Sequence, residues 1–146
     1  MTIVPVQNRD WLDLSSRMAS AAMQAQSTRM RVVSENIANA DATASTPGGN
    51  PYRRKTITFR QELDRATGVE IVGTRDIGTD KAPFGMRLDP GHPGADTEGY
   101  VKVPNVNVLV EMADLREAVR SYEANVQVVK FSRSLSSMTI DLLRNS

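Results

Sequence analysis

Apolar residues recur along the chain in two helical runs, separated by a stretch that has no helical period. In the first run Trp11, Leu14, Met18, Ala21, Ala25, Thr28 and Val32 alternate steps of three and four, the spacing of one face of an α-helix. Met23, Met30, Val33, Ile37 and Ala40 form a second stripe beside it. Neither Pro nor Gly falls between Asp10 and Asn39. Asp10 is placed to cap the start. Asn39 is placed to end it, because Asn tolerates the left-handed backbone that often closes a helix. At 1.5 Å per residue this helix is roughly 45 Å long.

The second run is longer. Val108, Met112, Leu115, Val119, Tyr122, Val126 and Val129 keep a 4-3-4-3 rhythm, and no Gly or Pro interrupts Asn107 to Asn145. The rhythm then slips by one residue and continues through Val128, Phe131, Leu135, Met138 and Leu142. A helix of roughly 58 Å results. That exceeds the usual globular helix and predicts a coiled coil. Between Ala124 and Leu143 apolar residues spread around most of the circumference, with Ser132, Ser134, Ser136, Ser137 and Thr139 in the gaps. A helix apolar on most sides needs cover on most sides, which predicts burial between several chains.

Residues 40–106 hold every glycine and all but one of the prolines. Thr56 to Phe59 and Glu70 to Val72 are predicted strands. Phe84, Met86 and Leu88 alternate, as do Val101 and Val103, with an irregular Asp89-Pro90-Gly91-His92-Pro93-Gly94 between them. The prediction is a small antiparallel β module, too short to be very stable alone. The fold class is therefore α+β: two long terminal helices (10–39 and 107–146) form a coiled-coil layer, with the β module (40–106) inserted between them. Residues 1–9 are predicted to be disordered.

Composition narrows the function more than the fold. Lys and Arg number 18 against 17 Asp and Glu, a net charge of +1, which argues against nucleic acid as a partner. Without cysteine there are no disulfides, thiolate metal sites or cysteine nucleophiles. No apolar run approaches the roughly 18 residues of a membrane span. In Met1 to Asp10 the apolar Ile3, Val4 and Val6 are interrupted by Pro5, unlike the core of a secretory signal. The expectation is a cytoplasmic protein, or one exported by a route that uses no such signal.

Candidate chemistry is thin. His92 lies between Asp89 and Asp96, but a metal site needs three or four ligands with support around them. Nothing else has ligand spacing, so His92 reads as a turn residue. Phosphate-loop, dinucleotide and nucleophile-elbow motifs are missing, so no catalytic residue, metal or cofactor is expected. Arg53-Arg54-Lys55 reads as a solvated face or a guard against edge pairing, ahead of a contact with phosphate or an acidic partner. Glu62 with Asp64, and Glu111 with Asp114, read as ordinary surface carboxylates. Asn36 and Asn39 are harder to dismiss, since Asn is a poor residue for helix interiors. Asn39 reads as a cap. Asn36 either frays the helix end or fixes register against another helix, with Asn125 as the matching group.

At this point the motifs resemble a known family. Ala21-Ala22-Met23-Gln24-Ala25-Gln26, Arg29-Met30 and Val33-Ser34-Glu35-Asn36-Ile37-Ala38-Asn39-Ala40 are similar to the N-terminal signature of flagellar rod and hook proteins. Pro51-Tyr52-Arg53-Arg54, the segment Asp89 to Asp96, Gly99-Tyr100-Val101 and Pro104-Asn105-Val106-Asn107 resemble the proximal rod members. So do Glu111-Met112 and Ser121-Tyr122-Glu123-Ala124-Asn125. Residues 68–82 carry none of the motifs behind the resemblance, and residues 1–9 precede the family's usual helix start. The resemblance implies a structural subunit of the basal-body rod, part of the drive shaft. It implies export unfolded through the flagellar type III apparatus, with an export signal near residues 1–9, and assembly in the periplasm. The implied neighbours are further copies of the chain, the rod proteins FlgB and FlgF, and FliE at the base. The expected partner interface comprises Leu14, Met18, Ala21, Ala25, Val32, Asn36, Ile37 and Asn39 on the first helix. On the second it comprises Val108, Met112, Leu115, Val119, Tyr122, Asn125, Val126, Val129, Phe131, Leu135, Met138 and Leu142. The rival readings are a soluble coiled-coil adaptor that does not polymerise, and a small hydrolase or metal enzyme around His92.

Overall fold

The fold was obtained as a computed structural model, which describes residues 8–65 and 67–144. Helix α1 covers Asn8–Ala38, 31 residues, and helix α2 covers Val108–Arg144, 37 residues. Both follow from the long runs of helical period without Gly or Pro. Their ends differ in detail from expectation. Asn8 and Arg9 are already helical, so Asp10 lies inside α1 instead of capping it. The export-signal reading otherwise falls on residues 1–7, outside the described residues. At the other end the Asn39 backbone N–H and side-chain amide both donate to Glu35 O, at 3.1 and 2.8 Å. Ala40 N then donates to Ile37 O at 3.2 Å, a tightened last turn. No described non-glycine residue has a positive φ, so Asn39 closes the helix without a left-handed turn. Asn107 caps α2: its Oδ1 accepts from Leu109 N at 3.1 Å and Val110 N at 3.4 Å.

Between the helices lie β1 (Lys55–Asp64), β2 (Val69–Thr79), β3 (Gly85–Leu88) and β4 (Tyr100–Val103). They form two two-stranded sheets, β1 with β2 and β3 with β4, which make up the β module that the sequence suggested between the helices. The short β1–β2 connection forces an antiparallel hairpin. Gly68 turns it at φ 71, with its N–H on Asp64 O at 2.7 Å. The β3–β4 pair is antiparallel from Gly85↔Val103 to Leu88↔Tyr100. Strands β1 and β2 run well past their predicted ends. Arg60, Gln61 and Glu62 are all exposed, so no alternation of burial marks the strand there. Gly73, which reads as a break, lies beneath Glu62: a Cβ on it would stand 2.9 Å from Glu62 Oε2.

The chain forms two compact units. One comprises Met1–Ser27, Phe59–Thr74 and Ala118–Ser146; the other comprises Thr28–Thr58 and Arg75–Glu117. In the first, Ser15 Oγ and Ser132 Oγ lie 2.7 Å apart, and Ala19, Ala25, Ala118 and Ser132 are buried. In the second, Val32, Val33, Asn36, Val101 and Glu111 are buried. The fully buried positions of α2 are Glu111, Ala118 and Ser132, with half-buried Asn125 between the last two. These four recur every seven residues. The covered seam of α2 is therefore small and polar, and it is not the 4-3 apolar stripe that dominates the sequence.

Candidate functional site

Two features stand out, one polar and buried, the other apolar and open. The polar one lies in the second unit. Glu111, one turn into α2, has none of its surface exposed. Its Oε1 accepts from Arg54 Nε at 2.6 Å and its Oε2 from Asn36 Nδ2 at 3.0 Å. Asn36 is 1% exposed. Its Nδ2 also donates to Lys55 O at 2.9 Å, while its Oδ1 accepts from Lys55 N at 2.8 Å and Tyr52 OH at 2.9 Å. A side-chain amide has two donors and two acceptor lone pairs, so every one of them is used. Lys55 pairs with Glu35, and Arg54 with Asp80 at 3.5 Å. Burial works against the Arg54 charge, but the Glu111 hydrogen bond and charge outweigh it and leave its pKa raised.

This network corrects three expectations. Arg53-Arg54-Lys55 is neither a solvated face nor an edge guard. Arg53 donates to Asp80 O at 2.8 Å and Ala82 O at 3.0 Å and stands 4.1 Å above the Phe84 ring, while Arg54 and Lys55 take Glu111 and Glu35. Glu111 is not a surface carboxylate, and Asp114 beside it is held by Arg29 at 2.9 Å. Asn36 meets Glu111 of α2, whereas Asn125 donates to Ser121 O of its own helix at 2.8 Å.

His92 stitches a loop. Its Nδ1 accepts from Gly94 N at 2.9 Å, which leaves the neutral ring's proton on Nε2, 3.0 Å from Thr43 Oγ1. No three His, Asp or Glu side chains converge as metal ligands among the described residues. No helix among them is long and apolar enough to cross a membrane.

The open feature is the apolar surface of α2. Beyond the slip in rhythm, Phe131, Met138 and Leu142 are 65%, 58% and 74% exposed. Leu135 between them is half-buried, and Val128 is exposed. In the same unit Trp11 and Met18 of α1 are exposed too. A cleft of about 540 Å³ runs between Leu12, Asp13 and Ser16 of α1 and Arg133, Ser136 and Ser137 of α2, and none of the stripe residues line it. In the second unit Val108 and Met112 stand exposed. Soluble monomers rarely expose contiguous apolar patches beyond a few hundred Å².

The expected interface positions divide three ways. Ala25, Val32 and Asn36 are buried in the chain's own packing. Leu14, Ala21, Ile37, Asn39, Leu115, Tyr122, Asn125, Val126, Val129 and Leu135 are half-buried. Met18, Val108, Met112, Val119, Phe131, Met138 and Leu142 are exposed. Reading the sequence missed Tyr52, Arg54, Glu111 and Ser132. Only the seven-residue recurrence of 111, 118, 125 and 132 could have marked the covered side of α2.

Comparison with known proteins places this arrangement. Residues 17–44 match the family described as flagella basal body rod protein, and residues 97–142 match the flagellar basal body rod FlgEFG protein C-terminal family. The flagellar basal-body rod protein FlgC of Agrobacterium fabrum is 56% identical over 137 residues, spanning 94% of this chain and 99% of that protein. The chain belongs to the FlgC family of flagellar basal-body rod proteins. More distant FlgC proteins align over most of their length as well. That of Escherichia coli O6:H1 is 40% identical over 86% of this chain and 92% of its own, and that of Borreliella burgdorferi 37% over 89% and 96%. The two matched segments take in most of α1, with Asn36, and most of α2, with Glu111.

Proposed function

We propose that the chain is a structural, non-enzymatic subunit of the flagellar rod, and that it polymerises through apolar helix faces that its own fold leaves open. The 3-4-3-4 stripe Val128, Phe131, Leu135, Met138 and Leu142, exposed at every position but the half-buried Leu135, carries this reading. A stripe at that spacing is the seam of a helix–helix contact, and the α2 positions buried within the chain are different ones. Family membership supports the location in the basal body. It also supports the neighbours we assign: further copies of the chain, FlgB and FlgF, and FliE at the base. Delivery by the flagellar type III apparatus to the periplasm belongs to the same reading, as does a role in transmitting torque.

The test uses Phe131→Asp and Met138→Asp in cells, with motility in soft agar and immunoblots of secreted and basal-body fractions. A carboxylate on an exposed site of the free chain costs little, but buried without a partner it costs several kcal/mol. Both variants are expected to be exported and then to be missing from basal bodies. Normal incorporation of both would remove the stripe as an assembly surface.

A further inference from the structure

We propose that Asn36, Glu111 and Arg54 select the one register in which α1 and α2 pair, and that they do so without adding net stability. The need for selection is written into the seam. On α1 the positions Ser15, Ala22, Arg29 and Asn36 recur every seven residues, as do Glu111, Ala118, Asn125 and Ser132 on α2. Three heptads separate Ser15 from Asn36 and Glu111 from Ser132. Within its own unit, each of the Ser15–Ser132 and Asn36–Glu111 contacts thus sets the same antiparallel register. A repeat of small residues at constant spacing resembles itself after a slip of seven. Ala118, Asn125 and Ser132 can exchange places with little change in packed volume, and Asn125 donates to Ser121 O of its own helix.

One slipped register is attractive. Moving α2 by one heptad in one direction brings Glu111 level with Arg29, a ready partner for a carboxylate. Moving it the other way carries Glu111 past the end of α1 at Ala38. Native pairing defeats both by matching each charge elsewhere. Arg29 is taken by Asp114 at 2.9 Å. Both Glu111 oxygens are taken by Arg54 and Asn36. Every donor and acceptor of Asn36 is used, two of them by the Lys55 backbone at the first residue of β1. A slip would strand a buried amide and pull β1 off α1. Desolvation offsets much of the attraction in a buried ion pair, so replacing it with apolar groups is often neutral for stability, while fixing register is the best-attested use of such groups.

The cysteine-free chain allows a direct test by disulfide trapping of the purified full-length protein with diamide, read by mass spectrometry. Ser15→Cys with Ser132→Cys reports the native register, and Ser15→Cys with Asn125→Cys reports the register in which Glu111 meets Arg29. In the otherwise native chain only the first pair should close. In the Asn36→Leu, Glu111→Leu, Arg54→Met triple variant, where the change at Arg54 keeps the loss of Glu111 from stranding a charge, the yield of the second pair relative to the first should rise on the order of tenfold, with helical circular dichroism and urea midpoint retained. An unchanged ratio would overturn the proposal, as would equal closure of both pairs in the native chain. Should the triple variant lose its helical signal, Asn36→Ala decides by the same ratio. Loss of helix in that variant too would make the network a stability element and end the proposal.

Discussion

Tyr52 stands at the rim of the buried network with its hydroxyl on Asn36 Oδ1. Burial raises its pKa above the ordinary 10.0, and the Glu35 charge adds to the rise. Lys55 is raised above 10.5 by its hydrogen bond to Glu35. In both cases the folded chain holds its proton more tightly than the unfolded one. The resulting stability is fully present below pH 10.0 and is lost as pH climbs through 10.5 and beyond. Urea midpoints should therefore be flat from pH 8 to pH 9 and fall above pH 10, and Tyr52→Phe should lower the midpoint at pH 8 but shallow the alkaline fall. Gly94 makes a second residue-level case. A Cβ there would lie 2.3 Å from Ala44 O, and the Gly94 carbonyl accepts from Gly48 N at 3.2 Å. Gly94→Ala should cost about 1–3 kcal/mol, measured as a lower urea midpoint. Neither role is legible in the sequence. His92 and Gly94 announce a turn, but their partners Thr43 and Ala44 sit about fifty positions away and carry no motif. Glu111 likewise sits among charged neighbours that suggest a wet surface, and its burial depends on Arg54 arriving from the residue just before β1.

The helices are the elements the sequence reveals best, because a period sustained over thirty residues averages out local exceptions. What it conceals is which stripe faces inward. The apolar 4-3 stripe looks like the seam, yet Val108, Met112 and Val119 on it are exposed while Glu111, Ala118 and Ser132 are covered. Small and polar residues let two helix backbones approach closely, and that keeps the large apolar side chains on the outside. Strands were harder for the opposite reason: from Thr58 to Leu63 and from Thr74 to Thr79 the hairpin is exposed on both sides and has no alternation to read, so β1 and β2 outran their predicted ends. An experiment at this scale compares Val119→Asp with Glu117→Ala. Both positions are exposed, so each change should shift the folded chain by less than about 1 kcal/mol in urea. In cells only Val119→Asp should be missing from basal bodies. Equal incorporation of the two would show that the Val119 side of α2 meets no neighbour.

At the level of the whole chain, a protein that leaves Trp11, Met18, Phe131, Met138 and Leu142 uncovered is built to have neighbours. Sedimentation of the purified chain over a concentration series should show open-ended growth, and a single defined oligomer at all concentrations would favour the adaptor reading. The α+β class with its inserted β segment was visible from residue pattern alone, and the motifs from Ala21 to Asn125 pointed to the family. The division into two units was not, since each is assembled from segments far apart along the chain. The Arg54–Glu111 pair has a consequence that belongs to time instead of space. Its partners are 57 residues apart in sequence, so it can close only after a long loop has been ordered, and contacts of that kind form late. Removing one member of a late contact leaves its partner's charge stranded in the folded state alone, which speeds unfolding and leaves the folding rate nearly untouched. Glu111→Gln, which keeps the shape but removes the charge, should therefore accelerate unfolding in a stopped-flow denaturant jump while refolding proceeds at its former speed. If, as proposed, the chain is exported unfolded and then held in a rotating shaft, the intact charge pair places the resistance on the exit side of the barrier.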